Sequence, residues 1–244
     1  MRFSSDQIQK IEKEISSKVD GKTLFDEFSR GRYSTDASVY QIKPLGVVLP
    51  KDTNDVLNLM EYSQKNSIPL LARGGGSSQC GQTVGESVVL DYSKHQNKIL
   101  ELNVEEKYVW VQPGVVLDHL NSFLRPYGLW FPVDVSTSSR ATIGGMSANN
   151  SCGSRSLYYG NMVHNVLAIE AILDDGSLHT FDQINKNYLT TTNNQDRFYK
   201  IIDKFFEDSF KFIRVISNSL DFIELEIEDK SCLLYTSDAA DDTP

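Results

Sequence analysis

The sequence predicts an α+β fold, because segments with helical spacing and short apolar strands both occur along the chain. In the helical segments apolar residues recur every three or four positions, and the strands are short apolar runs bounded by turn residues. With 244 residues, 40% of them apolar, the chain can bury one substantial core or two modest ones. The sequence contains no internal repeat.

The first part of the chain predicts a helix followed by a β–α–β unit. The helix covers residues 5–19, and strands at 45–49 and 68–72 flank a second helix that begins after cap-type residues at 52–54. The inward face of the first helix consists of Ile8, Ile11, Ile15 and Val19, and that of the second consists of Val56, Met60 and Ser63. Because open α/β sheets bind ligands at the carboxyl ends of their strands, the residues after Ala72 are candidates for a ligand site.

The remaining elements continue the mixed pattern. Strands are predicted at 88–91 and 108–112, and the turn sequence at 174–177 joins two more, at 166–173 and 178–181. Between these pairs lies a helix marked by Leu117, Leu120 and Leu124 and closed by Pro126 and Gly128. A helix over 196–207, with Tyr199, Ile202, Phe205 and Phe206 on its apolar face, and a strand at 222–227 complete the prediction.

Composition excludes several kinds of partner. A net charge of −9 argues against a nucleic-acid surface or an anionic membrane surface, since both need clustered Lys and Arg. No run has the length of a membrane span, and the polar start at residues 1–6 differs from a secretory signal. The sequence therefore predicts a cytoplasmic protein, either free or peripheral to the inner membrane.

The spacing of the cysteines and histidines does not favour a disulfide framework or a metal site. Cys80, Cys152 and Cys232 are spaced too widely for a disulfide framework or a Cys-x-x-Cys site, so we expect reduced thiols that pack as small hydrophobic residues. The histidines, His95, His119, His164 and His179, form no metal-spaced pair.

The most informative segment is the glycine loop, residues 73–82, which reads Arg-Gly-Gly-Gly-Ser-Ser-Gln-Cys-Gly-Gln. A glycine backbone admits a ligand closely, so successive N–H groups can converge on a phosphate. The Rossmann pattern fails at Gln79, and a Walker A loop nearly fits but has Gln82 in the lysine position. A Gly-x-Ser-x-Gly hydrolase elbow is absent. Taken alone, the loop has a flexible turn as its alternative interpretation.

A second loop of small residues, 142–153, strengthens the phosphate interpretation. Its first residues, 142–145, predict a short helix whose N-terminal N–H groups and dipole favour an anion. Arg73, which precedes the glycines, can pair with a carboxylate or with a phosphate. Two such loops in one domain predict nucleotide binding, with a diphosphate held between them.

Several blocks carry a family resemblance, and they occur in a fixed order. The blocks are Pro69-Leu-Leu-Ala-Arg73-Gly-Gly-Gly-Ser-Ser-Gln-Cys-Gly-Gln82, Val111-Gln-Pro-Gly114, Pro132-Val-Asp134 with Ala141-Thr-Ile-Gly-Gly145, Asn150-Ser-Cys-Gly153 and Tyr159-Gly160. Together they resemble the FAD-binding domain of the vanillyl-alcohol oxidase / para-cresol methylhydroxylase superfamily over residues 33–182. Residues 33–38 and 149–153 are similar to the D-2-hydroxyacid dehydrogenase branch, of D-lactate or D-2-hydroxyglutarate type, especially its large members with a carboxyl-terminal iron–sulfur region.

The resemblance implies a two-subdomain FAD-binding domain of the para-cresol methylhydroxylase type. It implies cofactor contacts from the glycine loop, with Gly74, Gly75, Gly76, Ser77 and Ser78 donating to the FAD diphosphate and Arg73, Gly81 and Gln82 completing that wall. On the other side it implies Pro113, Gly114, Pro132, Val133, Asp134, Thr142, Ile143, Gly144, Gly145, Ala148 and Asn149. Ser151, Gly153 and Gly160 would border the flavin, and Val166 and Ile169 the adenosine half.

The implied reaction is oxidation of a D-2-hydroxy acid to the 2-oxo acid, with hydride transfer to flavin N5 and an electron acceptor that no residue identifies. Covalently flavinylated relatives have a histidine where Ser77 and Ser78 stand, so noncovalent FAD is implied. The resemblance also places Cys152 near the flavin, where it either tunes the flavin or packs as a small hydrophobic residue. Arg155 and Tyr159 are the candidates for substrate contact, the alternatives being a structural ion pair and core packing. No catalytic base is assigned, because the resemblance places most substrate, metal and base ligands in a later cap domain.

The resemblance also divides the chain. Residues 1–32 are predicted as an N-terminal helical extension, 33–182 as the FAD-binding domain with subdomains at about 40–100 and 101–182, and 183–230 as the start of a connecting or cap region. Residues 231–244 resemble a translated sequencing adapter, so a non-native tail on an amino-terminal fragment is expected, with any iron–sulfur cluster in the missing part. Two alternatives remain: a nucleotide-binding module of NTPase type, and an FAD-binding fragment without turnover.

Overall fold

The computed structural model describes residues 3–182 and, further along, the backbone of strands within residues 220–229. The helices are α1 (Ser5–Ser16), α2 (Glu27–Arg32), α3 (Thr53–Asn66), α4 (Leu117–Leu124), α5 (Ile143–Ala148), α6 (Ser156–Tyr159) and α7 (Met162–Asn165). The strands are β1 (Lys22–Leu24), β2 (Gly46–Leu49), β3 (Leu70–Arg73), β4 (Val88–Asp91), β5 (Ile99–Asn103), β6 (Tyr108–Val111), β7 (Leu129–Trp130), β8 (Val166–Ile172), β9 (Leu178–Phe181), β10 (Leu220–Glu226) and β11 (Glu228–Asp229).

The first sheet has the strand order β1-β2-β4-β3. Strands β2 and β3 both pair in parallel with β4, and α3 connects β2 to β3, so the predicted β–α–β unit is confirmed with β4 inserted between its strands. Every residue of β2 and β4 is buried, as expected for parallel strands covered on both faces. The glycine loop begins at the carboxyl end of β3, as predicted.

The N-terminal segment is part of this layer. The helix α1 begins at a capping box of Ser4 and Gln7 and buries Ile8, Ile11 and Ile15 in the core of the first sheet. Strand β1, which the helical prediction for residues 1–32 does not include, pairs antiparallel with β2. The first 32 residues are therefore packed on the first sheet and are not wholly helical.

The predicted face of α3 needs a correction. Its buried residues are Asp55, Val56, Leu59 and Tyr62, whereas Met60 and Ser63 are only partly buried. The carboxylate of Asp55 explains the rotation, since it accepts hydrogen bonds from the backbone N–H groups of Asp20, Gly21 and Lys51 at 2.7–2.9 Å. The polar side chain of Asp55 thus faces inward because backbone N–H donors on that side satisfy its oxygens.

The second sheet is antiparallel, with the order β5-β6-β10-β8-β9. The predicted helix α4 packs its leucines into a core with β6, Phe131 and α5, and it ends in a 3₁₀ turn at Arg125–Tyr127 before Gly128. The hairpin predicted at 174–177 joins β8 to β9. Ile172, at the end of β8, packs into the core of the first sheet, so the two layers adjoin.

Other differences concern short elements. Strand β5 was not predicted. Its buried and exposed residues do not alternate, and a register irregularity interrupts its pairing with β6. The predicted helix at 196–207 lies outside the described residues, and so do Cys232 and the tail. None of the described helices is both long and apolar enough to cross a bilayer.

Candidate functional site

The glycine loop presents an unbroken row of free backbone donors. Within the part of the chain that the structure describes, the N–H groups of residues 74–78 have no hydrogen-bond acceptor, and these residues are partly or fully accessible. Gly76 has φ +65°, a left-handed conformation that turns the main chain within the row. Consecutive unpaired N–H groups around such a residue form a concave anion site. The side chain of Ser77 adds a hydroxyl that likewise has no partner among the described residues.

The two loops predicted to share a ligand are in contact. A Cβ on Gly74 would lie 2.0 Å from Oγ1 of Thr142, and one on Gly75 would lie 2.1 Å from the carbonyl oxygen of Arg140. Neither position has room for a side chain, so glycine is needed for the loops to approach. The sequence prediction that these segments meet is therefore matched by direct packing, although the ligand between them remains a prediction.

A chain of polar side chains joins the same loops. Ser78 Oγ donates to Oε1 of Gln82 at 2.6 Å, and Gln82 Nε2 donates to Oδ1 of Asn149 at 2.6 Å. The backbone N–H of Cys80 donates to Ser78 Oγ. Gln82, which stands at the lysine position of the Walker A pattern, thus forms a bridge between the loops.

The N terminus of α5 differs from the sequence prediction. Thr142 caps this helix by accepting from Gly145 N, but the N–H groups of Ile143 and Gly144 donate to the carbonyl oxygens of Val115 and Pro113 at 2.8 Å. These N–H groups are therefore not available to an anion, and the predicted dipole site at α5 is wrong in that respect. Their bonds anchor the second loop to the segment between β6 and α4.

Arg73 also corrects an expectation. Its guanidinium donates to the carbonyl oxygens of Thr35 (2.8 Å), Thr83 (3.1 Å) and Tyr33 (3.4 Å), and it stacks over the ring of Tyr33 at 5.2 Å. Burial lowers the pKa of Arg73, with Asp91 opposing that effect. Among the described residues the hydrogen-bond partners of Arg73 are main-chain carbonyls of flanking segments, and its place in the cofactor site stays a prediction.

Several implied cofactor residues are buried. Val133 and Ile143 are wholly buried in the second core, and Pro113, Gly114 and Pro132 are also buried. The side chains of Val133 and Ile143 have no accessible surface, so a cofactor contact from these two positions would come from the main chain. Val166 and Ile169 are partly buried on β8, where they pack against the second core.

Asp134 binds the two residues that follow Gly153 of the predicted flavin border. Its carboxylate accepts from Ser154 Oγ at 2.7 Å and from Arg155 N at 3.1 Å, and it lies 3.7 Å from Arg155 Nε. The guanidinium of Arg155 also lies 5.1 Å from the centroid of the Trp130 ring, and that ring forms a T-shaped pair with Tyr159 at 5.5 Å. Arg155 thus forms the ion pair that the sequence offered as an alternative to substrate binding. Tyr159 is only partly buried and packs against the rings of Trp130 and Tyr158, and substrate contact by either residue stays a prediction.

The rest of the predicted border lies on the path from α5 to α7. Ala148 ends α5, Ser151 N donates to Met146 O, and Gly160, with φ +80°, precedes α7. Gly81 has φ +71° and packs against Tyr40. Gly145 and Gly153 are exposed and partly buried, respectively.

The cysteines and histidines complete the comparison with the sequence. Cys80 and Cys152 are both exposed, so the expectation that they pack as small hydrophobic residues is wrong. In the described part of the chain, no group of three or more His, Cys, Asp or Glu could hold a metal ion. His164 accepts at Nδ1 from the backbone of Asn161 and serves as a helix cap.

The segment at residues 36–38 supports the glycine loop, and no sequence pattern predicted that role. The N–H of Ala37 donates to Gly76 O at 3.1 Å, and Thr83 Oγ1 donates to Asp36 Oδ2 at 3.0 Å. Burial acts to raise the pKa of Asp36, but hydrogen bonds from Ser38 and Thr83 outweigh it and hold the pKa below its usual value. The similarity of residues 33–38 to one branch of the superfamily was the available signal, but it gave no role to these residues.

The chain is similar in sequence to known proteins. The sequence model described as "FAD binding domain" matches residues 44–182. D-2-hydroxyglutarate dehydrogenase of Haemophilus influenzae is 43% identical over 158 residues, which make up 62% of this chain and 15% of the relative. The protein of the same name from Escherichia coli is 39% identical over 161 residues, 65% of this chain and 16% of the relative. A mitochondrial D-lactate dehydrogenase [cytochrome] of Kluyveromyces lactis is 39% identical over 140 residues, with 56% and 24% covered.

Solved structures match the fold. Alkyldihydroxyacetonephosphate synthase superposes with a TM-score of 0.68 at 17% identity, covering 93% of this chain and 41% of that one. 6-Hydroxy-D-nicotine oxidase of Arthrobacter nicotinovorans gives a TM-score of 0.66 at 15% identity, covering 86% and 43%. These neighbours confirm the predicted α+β fold, and the family match over residues 44–182 confirms that it is an FAD-binding domain.

Proposed function

Because the chain belongs to the FAD binding domain family, we propose that it holds FAD noncovalently as the flavin-binding portion of an enzyme that oxidises D-2-hydroxy acids. Relatives at 38–43% identity are named D-2-hydroxyglutarate dehydrogenase, and others are named D-lactate dehydrogenase. The chain spans only 15–16% of the length of the D-2-hydroxyglutarate dehydrogenases it matches. The activity is therefore proposed for the longer protein.

The observation that carries the proposal is the row of unpaired N–H groups at residues 74–78. A diphosphate is a ligand with several acceptor oxygens that such a row satisfies, and the hydroxyl of Ser77 supplies a further donor. Because the chain has a net charge of −9, overall electrostatics would repel the cofactor, so local backbone geometry must bind it. FAD contains such a diphosphate.

When bound, FAD supplies a hydride acceptor at N5 of the flavin. The described residues would bind and orient the cofactor. The glycine loop would do so through its main chain, and residues 142–145 would support the glycine loop by packing closely against it. Arg155 is paired with Asp134. We therefore propose that the residues that bind the substrate carboxylate, and the catalytic base, lie outside the described residues. An iron–sulfur centre is likewise proposed only for the carboxyl-terminal part of the longer protein.

Attachment of the cofactor is proposed to be noncovalent. The side chains at the tip of the glycine loop are Ser77 and Ser78, and neither can form the bond to flavin that a histidine forms in covalent relatives. Denaturing the yellow protein should therefore release all of its FAD into the supernatant.

An NTPase module is the weaker candidate. A Walker A loop leads directly into a helix whose N terminus cradles the phosphates. Here the described chain between Arg73 and Val88 forms no helix, and β4 is the next regular element. The absence of a lysine at Gln82 points the same way.

The experiment is FAD uptake by the purified chain. We expect a stoichiometric yellow complex after gel filtration, whereas ATP should not be hydrolysed and the chain alone should show no turnover. A colourless protein with no affinity for FAD would refute the proposal. For the longer protein, anaerobic addition of D-2-hydroxyglutarate or D-lactate should bleach the flavin, and the L-enantiomers serve as the control.

A further inference from the structure

The guanidinium of Arg73 lies at the base of the glycine loop. Its Nη2 group donates to Thr35 O, and its Nη1 group donates to Thr83 O and Tyr33 O. These carbonyls belong to two segments that flank the loop, one before β2 and one before β4. A single planar cation thus connects both flanks.

Further bonds couple these flanks to the loop itself. The N–H of Ala37 donates to Gly76 O, and Thr83 Oγ1 donates to Asp36. A Cβ on Gly76 would lie 2.5 Å from Nη2 of Arg73, so the guanidinium sits directly against this turn of the loop. The conformation of Gly76 is therefore fixed from one side by Arg73 and from another by Ala37.

We propose that Arg73 is a positioning residue for a diphosphate ligand, one that holds the N–H groups of residues 74–78 in convergence without contacting the ligand. The proposal rests on the proposed FAD site. The ammonium of lysine is a point charge and cannot replace a planar fork that reaches carbonyls on two segments. Arg73 differs from a general structural residue because its partners all lie around this one loop.

The test compares Arg73→Lys with the wild-type chain. Titrations use FAD, ADP as a probe that carries the diphosphate, and riboflavin as a probe that lacks it. We expect Arg73→Lys to raise the Kd for FAD and ADP about tenfold, since several hydrogen bonds that order the loop are lost, and to leave the Kd for riboflavin unchanged. Arg125→Lys, an exposed site in the 3₁₀ turn, is the matched control and should change none of the three.

Hydrogen exchange gives a second readout that needs no ligand. Loss of the clamp should speed exchange at Ala37 N, whose acceptor is Gly76 O, relative to amides of α4. If the wild type binds neither FAD nor ADP, the proposed function fails, and this exchange rate still decides whether Arg73 orders the loop. Unchanged exchange at Ala37 would then overturn the inference.

A folded Arg73→Lys variant with a wild-type Kd for ADP would also overturn it. Equal loss of riboflavin and ADP binding would do the same, because it would indicate a general structural role. Should Arg73→Lys fail to fold, Thr83→Val carries the test, since it removes the bond to Asp36 and leaves the guanidinium in place. It should weaken ADP binding about threefold at an unchanged riboflavin Kd. An unchanged ADP Kd would show that the flanking segments held by Arg73 do not position the loop, which refutes the proposal.

Discussion

Gln82 Nε2 donates a 2.6 Å hydrogen bond to Oδ1 of Asn149, and this bond joins two loops that are 67 residues apart in sequence. Both side chains are exposed, so the bond adds little to folding stability. Its consequence is local, because it fixes the separation of the loops between which FAD is proposed to bind. Ser78 extends the bridge by donating to Gln82 Oε1.

Gln82→Ala should speed the release of FAD. A neutral hydrogen bond is worth about 0.5–1.5 kcal/mol, so we expect the dissociation rate to rise about threefold to tenfold. The free energy of unfolding of the FAD-free protein should change by less than about 0.5 kcal/mol. Stopped-flow displacement of FAD measures the first quantity and urea unfolding the second. Gln79→Ala, exposed in the same loop, is the control, and equal rates in the two variants would contradict the bridge.

Gly74→Ala should destabilise the protein by pushing the loops apart. The new methyl would lie 2.0 Å from Thr142 Oγ1, and overpacking of this kind costs about 1–3 kcal/mol. Thr142→Ala alone should cost about 1 kcal/mol through loss of the α5 cap. In the double variant the clash with Oγ1 is gone, so the loss in unfolding free energy should be smaller than the sum of the single losses. Additive losses would show that the two residues do not oppose each other.

The sequence predicted the path of the chain around the loops better than it predicted their partners. The β–α–β unit, α4 and the hairpin after β8 all follow from local periodicity and turn residues, which need no information from elsewhere in the chain. The partners of Arg73 are backbone carbonyls, 38–40 residues away at Thr35 and Tyr33 and 10 away at Thr83. A carbonyl has the same chemistry in every residue, so no sequence pattern marks it as an acceptor.

Burial of the α5 donors was unpredictable for the same reason. The N–H groups of Ile143 and Gly144 meet carbonyls of Val115 and Pro113, and only the fold brings those carbonyls near. Val133 looked like a cofactor contact because it lies in a motif, whereas its side chain completes the second core. A motif marks the segment that forms a site and does not separate the residues that face the ligand from those that support it.

Asp55→Ala should lower stability well beyond the effect of an ordinary surface change. The carboxylate, 3% exposed, accepts from three backbone N–H groups, at Asp20, Gly21 and Lys51. Hydrogen bonds to charged groups are worth about 1.5–3 kcal/mol each, and three of them would be lost, so we expect a loss of about 3 kcal/mol or more. Urea unfolding measures it, with the exposed Glu105→Ala as control at less than about 0.5 kcal/mol. A loss similar to that of the control would show that water replaces the carboxylate.

Tyr33→Phe should change the response of stability to alkaline pH. Burial raises the pKa of Tyr33, and its 2.6 Å hydrogen bond to the carboxylate of Asp91 raises it further. Because the folded pKa lies above the ordinary value of about 10, the stabilisation is fully present below that pH and is lost as pH rises above it. At pH 7 we expect Tyr33→Phe to cost about 1–3 kcal/mol, since the bond to Asp91 is lost. Above pH 10 the difference between the two proteins should shrink, by less than the limit of about 1.4 kcal/mol per pH unit because Tyr33 is only half-buried. Urea unfolding at pH 7, 9 and 11 measures the difference. A constant value would show that the pKa of Tyr33 is the same in the folded and the unfolded protein.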